Sequence, residues 1–157
     1  MRKLLAVLLL ATTSTFAATP GYIQLLMRPD VKQNLRVIED ATMDDGLEHS
    51  LIIRPASSYI GPVGTQDHDT VPIPEDAIAF VHTHPDLLAY QPSPQDIRDE
   101  VELAKTHPGF IMYVAGRKRI GYNNEDAMWF ISVITPDGKV HDGGYFGRHW
   151  ATTSKRP

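Results

Sequence analysis

The sequence predicts one layered α/β or α+β domain. Three observations point there. Helical and strand patterns follow one another in the order helix, strand, long loop, strand, helix, then three or more strands, which fits a largely consecutive sheet with helices packed on it. The 157 residues include no cysteine, so neither a disulfide framework nor a thiolate metal site organises the chain. About 140 residues remain once an N-terminal leader is set aside, which suits a single domain with one sizeable core.

The leader is the stretch MRKLLAVLLLATTSTFA. Arg2 and Lys3 give it a positive start, residues 4–11 a short apolar core, and Thr15 and Ala17 the small residues that precede a cleavage site. The apolar run is shorter than the roughly 20 residues a membrane span needs. A signal peptide over residues 1–17, cleaved after Ala17, is expected, with a single domain over 18–157 in the periplasm or outside the cell. No cysteine follows to carry a lipid anchor. No later run is apolar enough to span a membrane, so no stable membrane span is expected after cleavage.

Within the domain, RPDVKQNLRVIEDATMDDG reads as a helix with Asp30 as N-cap, Val31, Leu35, Val37 and Ile38 as its apolar stripe, and Gly46 as its stop. The β-branched run LEHSLIIR, residues 47–54, reads as a strand. Residues 55–76 are rich in Pro, Gly, Ser and Asp and read as one long loop, a kind of segment that often serves as a lid or binding loop. AIAFVHTH, residues 77–84, reads as a strand ended by Pro85. Period two puts Ile78, Phe80, His82 and His84 on one face and Ala79, Val81 and Thr83 on the other.

The next helix is announced by SPQD: Ser93 as N-cap, Pro94 in the first helical position and Asp96 three residues after the cap. Ile97, Val101 and Ala104 form its expected inner stripe. GFIMYVAG and AMWFISVIT are strands, with Trp129 and Phe130 as core aromatics. GRKR, residues 116–119, reads as a solvated hairpin turn, and PDGK, residues 136–139, as a tight turn. The tail from Gly143 onward carries no readable pattern.

Charge narrows the partners. The formal charge is −4, or −6 once Arg2 and Lys3 leave with the leader. A nucleic-acid binder needs a basic face, so none is expected as a partner.

The chemistry concentrates in AFVHTHPDLLAYQPSPQDI. His82 and His84 share a strand face, and Asp96 sits in the first turn of the following helix. A strand end and a helix start can meet at one point. Two imidazoles and a carboxylate make a three-ligand set that leaves zinc's fourth place open to water, the mark of a catalytic rather than a structural site. Such a site needs a base. Glu48, at the start of an apolar strand, is the best candidate. Glu75 and Asp76 read as solvated turn residues, and Asp86 is the rival ligand. Ser93 caps its helix, and its hydroxyl could also hydrogen-bond a developing oxyanion. His49 alternates with Glu48 and should face away, and His107 suits a helix C-terminus. Other His-x-His hydrolases are built on barrels of about 250 residues, too long for this chain.

Taken together, the pattern Glu…His-Thr-His-Pro…Ser-x-x-Asp resembles the JAMM, or MPN-plus, motif of zinc metallopeptidases, and is most similar to small bacterial JAMM-like domains. The resemblance covers residues 47–116. It implies a JAMM/MPN-like, cytidine-deaminase-like α/β fold with a curved mixed sheet flanked by helices. It implies Zn2+ as cofactor with His82, His84 and Asp96 as metal ligands, and Glu48 and Ser93 as catalytic residues. The implied reaction is hydrolysis of an amide bond in a peptide, isopeptide-linked protein or peptidoglycan substrate. The alternative is a non-catalytic binding or scaffold module of the same fold. Eight residues separate His84 from Ser93, one more than is usual in that family, which implies a different substrate-side wall.

Overall fold

The computed structural model describes residues 21–65, 71–87, 90–119 and 127–146. The expected signal peptide, His68, His149 and most of the C-terminal tail lie outside these residues. Two helices open the described chain, α1 (Gly21–Leu26) and α2 (Pro29–Asp45). The strands β1 (His49–Ile53), β2 (Ser58–Val63) and β3 (Ala79–Leu87) follow, then α3 (Pro94–Thr106). The chain continues as β4 (Ile111–Arg119), β5 (Ala127–Ile134) and β6 (Val140–Phe146). The six strands form one mixed sheet in the order β2-β1-β3-β4-β5-β6. Its single parallel pair is β3–β4, and the other four pairs are antiparallel. Parallel neighbours need a crossover. Here α3 supplies it, which lays that helix against the sheet directly after β3.

Alternation along the strands divides the core into two layers. On one face Leu51, Ile53, Ala79, Val81, Tyr113 and Trp129 pack with Val31, Leu35 and Ile38 of α2. On the other, Ile52, Phe80, Met112, Val114 and Ile134 pack under Ile97 and Leu103 of α3. Burial of each large side chain contributes about 1.5–3 kcal/mol. Ile78 departs from expectation. It lies just before β3 and packs against the α2 layer.

Pro29 sets the start of α2. Its fixed φ suits the first helical position, so the cap falls on Arg28 rather than Asp30. Asp30 lies in the first turn, favourable for an anion, with its carboxylate 2.7 Å from the Arg28 guanidinium. Arg28 also donates to the Arg54 carbonyl at 2.6 Å and ties the helix to the end of β1. Gly46 stops the helix as expected, at φ 70°, where its N–H reaches the Thr42 carbonyl. Val37 is 47% exposed, and Thr42 takes its place in the buried stripe.

The expected long loop contains a strand. β2 pairs antiparallel with β1 at the edge of the sheet, where Pro62 costs no ladder hydrogen bond on its solvent side. Pro85 does not end β3. The strand runs on to Leu87, with a register shift between His84 and Leu87 that absorbs Pro85 and Asp86. GRKR is no turn: Gly116, Arg117, Lys118 and Arg119 pair with Phe130, Trp129, Met128 and Ala127. PDGK forms its turn, with the Gly138 N–H on the Thr135 carbonyl at 2.7 Å. Trp129 and Phe130 are buried, as expected of core aromatics.

The inner stripe of α3 centres on Glu100, which is fully buried, while Val101 and Ala104 are only half-buried. Burial pushes the Glu100 carboxyl up to about 8 from an ordinary 4.5. The folded state therefore holds this proton where the unfolded chain has released it. The associated stability is complete below about pH 4.5 and is lost as pH rises towards about 8, on the order of 3–5 kcal/mol. In Glu100→Met the urea midpoint is expected to lose this pH-dependent fall, leaving the variant more stable than wild type at pH 8.

Candidate metal centre

Three side chains converge where the carboxyl end of β3 meets the amino end of α3. His82 and His84 point to the same face, and their Nε2 atoms lie 3.1 Å apart. Asp96 closes the group, with Oδ1 3.3 Å from His82 Nε2 and Oδ2 3.5 Å from His84 Nε2. Among the described residues these three alone form a group able to hold a metal ion. Tetrahedral zinc with arms of about 2.0–2.1 Å has donor–donor edges of about 3.3 Å. The observed separations fall around that value, so the donor set fits zinc in both chemistry and spacing.

The backbone explains why they meet. Strand periodicity brings the two imidazoles together, and a capping box fixes the carboxylate. The Ser93 hydroxyl accepts from the Asp96 N–H at 3.1 Å, and the Ser93 N–H donates to Asp96 Oδ2 at 2.6 Å. The carboxylate that caps α3 is thus the one presented to the histidines. Burial alone would raise the Asp96 pKa. The His82 hydrogen bond and charge, the Ser93 N–H and the His84 charge outweigh it and hold the group at about 2. Asp96 is an anion at neutral pH, the form a metal ligand requires.

The cap uses an acceptor lone pair of Ser93 and leaves its hydroxyl proton available for a second partner. Ser93→Ala is expected to lower stability by about 1 kcal/mol in a denaturant titration. It should keep metal uptake, because the Ser93 N–H still anchors Asp96.

Glu48 is 5% exposed and sits just ahead of β1. β1 pairs with β3 so that Ser50 faces His82, and the same register carried two residues further sets Glu48 opposite His84. Its Oε1 lies 4.0 Å from His84 Nε2. The other candidate acids stay outside the group. Glu75 and Asp76 are exposed, with Asp76 paired to Arg54, and Asp86 is exposed on the β3 bulge. His49 turns to the α2 side, where its Nε2 meets Asp45 at 2.9 Å. His107 occupies the C-cap of α3 and reaches the Pro74 carbonyl.

No family model matches the chain, and no curated protein matches it.

Three features around the site escape a reading of the sequence. Thr83, between the histidines but on the opposite face, bonds the Thr42 hydroxyl at 2.6 Å and accepts from the His49 N–H at 2.8 Å. This clamps α2, β3 and the segment next to Glu48 at one level. A hydroxyl inside a buried strand was the available signal. Glu100, one turn beyond Asp96, is the second, signalled by an acid on an apolar helix face. The third is a groove of about 380 Å3 beside the centre, lined by Tyr90, Pro92, Lys118, Phe130, Ser132 and Asp142. Lys118 lies 4.3 Å from the Phe130 ring centre and 4.9 Å from that of Tyr90. This wall leads along the chain straight into Ser93, and no sequence pattern joins strands that pair across the sheet.

Proposed function

We propose that the protein is an exported zinc-dependent hydrolase of the JAMM type that cleaves an amide bond, peptide or isopeptide. The observation that carries the reading is the convergence of His82, His84 and Asp96 with the buried Glu48 4.0 Å from His84. A mixed sheet with helices on both faces is compatible with the JAMM/MPN-like fold that the motif implies. The leader pattern of residues 1–17 supports export, and with it peptidoglycan peptides as well as proteins as substrates.

His82, His84 and Asp96 would hold the zinc. When bound, the ion supplies a Lewis acid and brings the pKa of a coordinated water to about 7. The chain's own residues do the rest. Glu48 takes the proton of the attacking water and passes it to the leaving nitrogen, the work of a general base that becomes a general acid. Its burial beside the histidines keeps that proton out of bulk solvent. The Ser93 hydroxyl, already oriented by the cap, donates to the oxygen on which charge develops. The groove at Tyr90 and Pro92 receives the chain on the substrate side.

Activity should be removed by a chelator and restored by added zinc on at least one of three amide linkages: a peptide, an isopeptide or a peptidoglycan cross-link. Stoichiometric zinc with no hydrolysis of any of them would instead identify a non-catalytic binding module.

A further inference from the structure

Two side chains between β3 and α3 hold buried polar atoms with no hydrogen bond. One is His82, at Nδ1, and the other is Glu100, at both carboxylate oxygens. Among the described residues neither group finds a hydrogen-bond partner. Ile97 and Leu103, three residues to either side of Glu100, pack on the layer of Phe80, Met112 and Val114. In the parallel register His82 lies level with Val114 and Phe80 with Met112, and the Phe80 ring is 5.7 Å from that of His82. An unpaired acid buried among apolar groups costs stability.

The metal centre supplies the reason. His82 turns Nε2 towards Asp96 and His84. To ligate through Nε2 a neutral imidazole must carry its proton on Nδ1, and metal-bound histidines almost always donate that N–H to an outer partner. Asp96 cannot serve, since its oxygens face Nε2 and the Ser93 N–H. Glu100 stands four residues after Asp96, on the same helix face. Helical side chains lean towards the N-terminus, which carries its carboxyl back towards the Asp96 turn.

We propose that Glu100 is a positioning residue of the metal centre: it accepts the Nδ1–H of His82 through one buried water, and fixes the tautomer that leaves Nε2 for the metal. This rests on the zinc reading above. One buried water is enough to satisfy both orphaned groups.

The test is zinc affinity by chelator competition, together with 15N NMR of the imidazoles in the zinc-loaded full chain, for wild type, Glu100→Gln and Glu100→Met. Methionine keeps the length of the side chain and removes the acceptor, whereas glutamine keeps a carbonyl. Glu100→Met is expected to bind zinc about 10–100-fold more weakly, with the His82 Nδ1–H shifted and exchanging faster with solvent. Glu100→Gln should fall between it and wild type. If Glu100→Met fails to fold, the glutamine variant decides by the same two readouts. Wild-type affinity and unmoved His82 signals in the variants would overturn the proposal while leaving the zinc reading intact. A wild-type protein that takes up no zinc would overturn both.

Discussion

Glu48→Gln is expected to bind zinc like the wild type and to lose about 10²–10⁴-fold in turnover. The exchange keeps the size of a side chain that is 5% exposed, so packing should survive. It removes only the ability to take a proton 4.0 Å from His84 Nε2. Because Glu48 is not among the three converging ligands, metal content should not fall. Glu75→Gln and Asp76→Asn are the controls. Both positions are exposed, and neither change should alter turnover. Equal activity in wild type and Glu48→Gln would remove Glu48 as the base, whatever the metal content.

His82→Ala is expected to abolish stable zinc binding. Structural zinc sites bind with about 10–16 kcal/mol. Shared among four ligands, that is about 3 kcal/mol each, so losing one should weaken binding by ~100-fold or more. Chelator competition measures this directly, and circular dichroism checks that the fold persists. Asp86→Asn supplies the contrast, since that carboxylate stands exposed on the bulge of β3 and its loss should leave affinity unchanged. The Asp96 carboxyl should titrate higher in His82→Ala, because the imidazole's hydrogen bond and charge are the main influences that lower it.

Features written in local chemistry were legible. The period-two spacing of His82 and His84 placed both rings on one face, and Ser93, Pro94 and Asp96 announced a capping box that the structure contains. Gly46 and the turn at residues 136–139 were equally local. Features settled by tertiary context were not. β2 is dense in the residues that mark loops, and only its place at the sheet edge makes Gly61 and Pro62 acceptable in a strand. Arg117–Arg119 look solvated, yet the ladder with β5 holds them in β4. Pro85 looks like a terminator until a register shift lets the strand pass it. The expected stripe of α3 held at Ile97 but left out Glu100 and Leu103, because an apolar pattern has no room for a buried acid. At the site, His82, His84 and Asp96 could be assembled from spacing alone. The nearness of Glu48 depended on the β1–β3 register, which no spacing encodes.

Whether His82, His84 and Asp96 hold a metal is measured most directly by the metal content of the wild-type protein. Mass spectrometry on protein purified without chelator, before and after incubation with zinc, should find one zinc per chain. A wild-type protein that carries no zinc and takes none up would contradict the account.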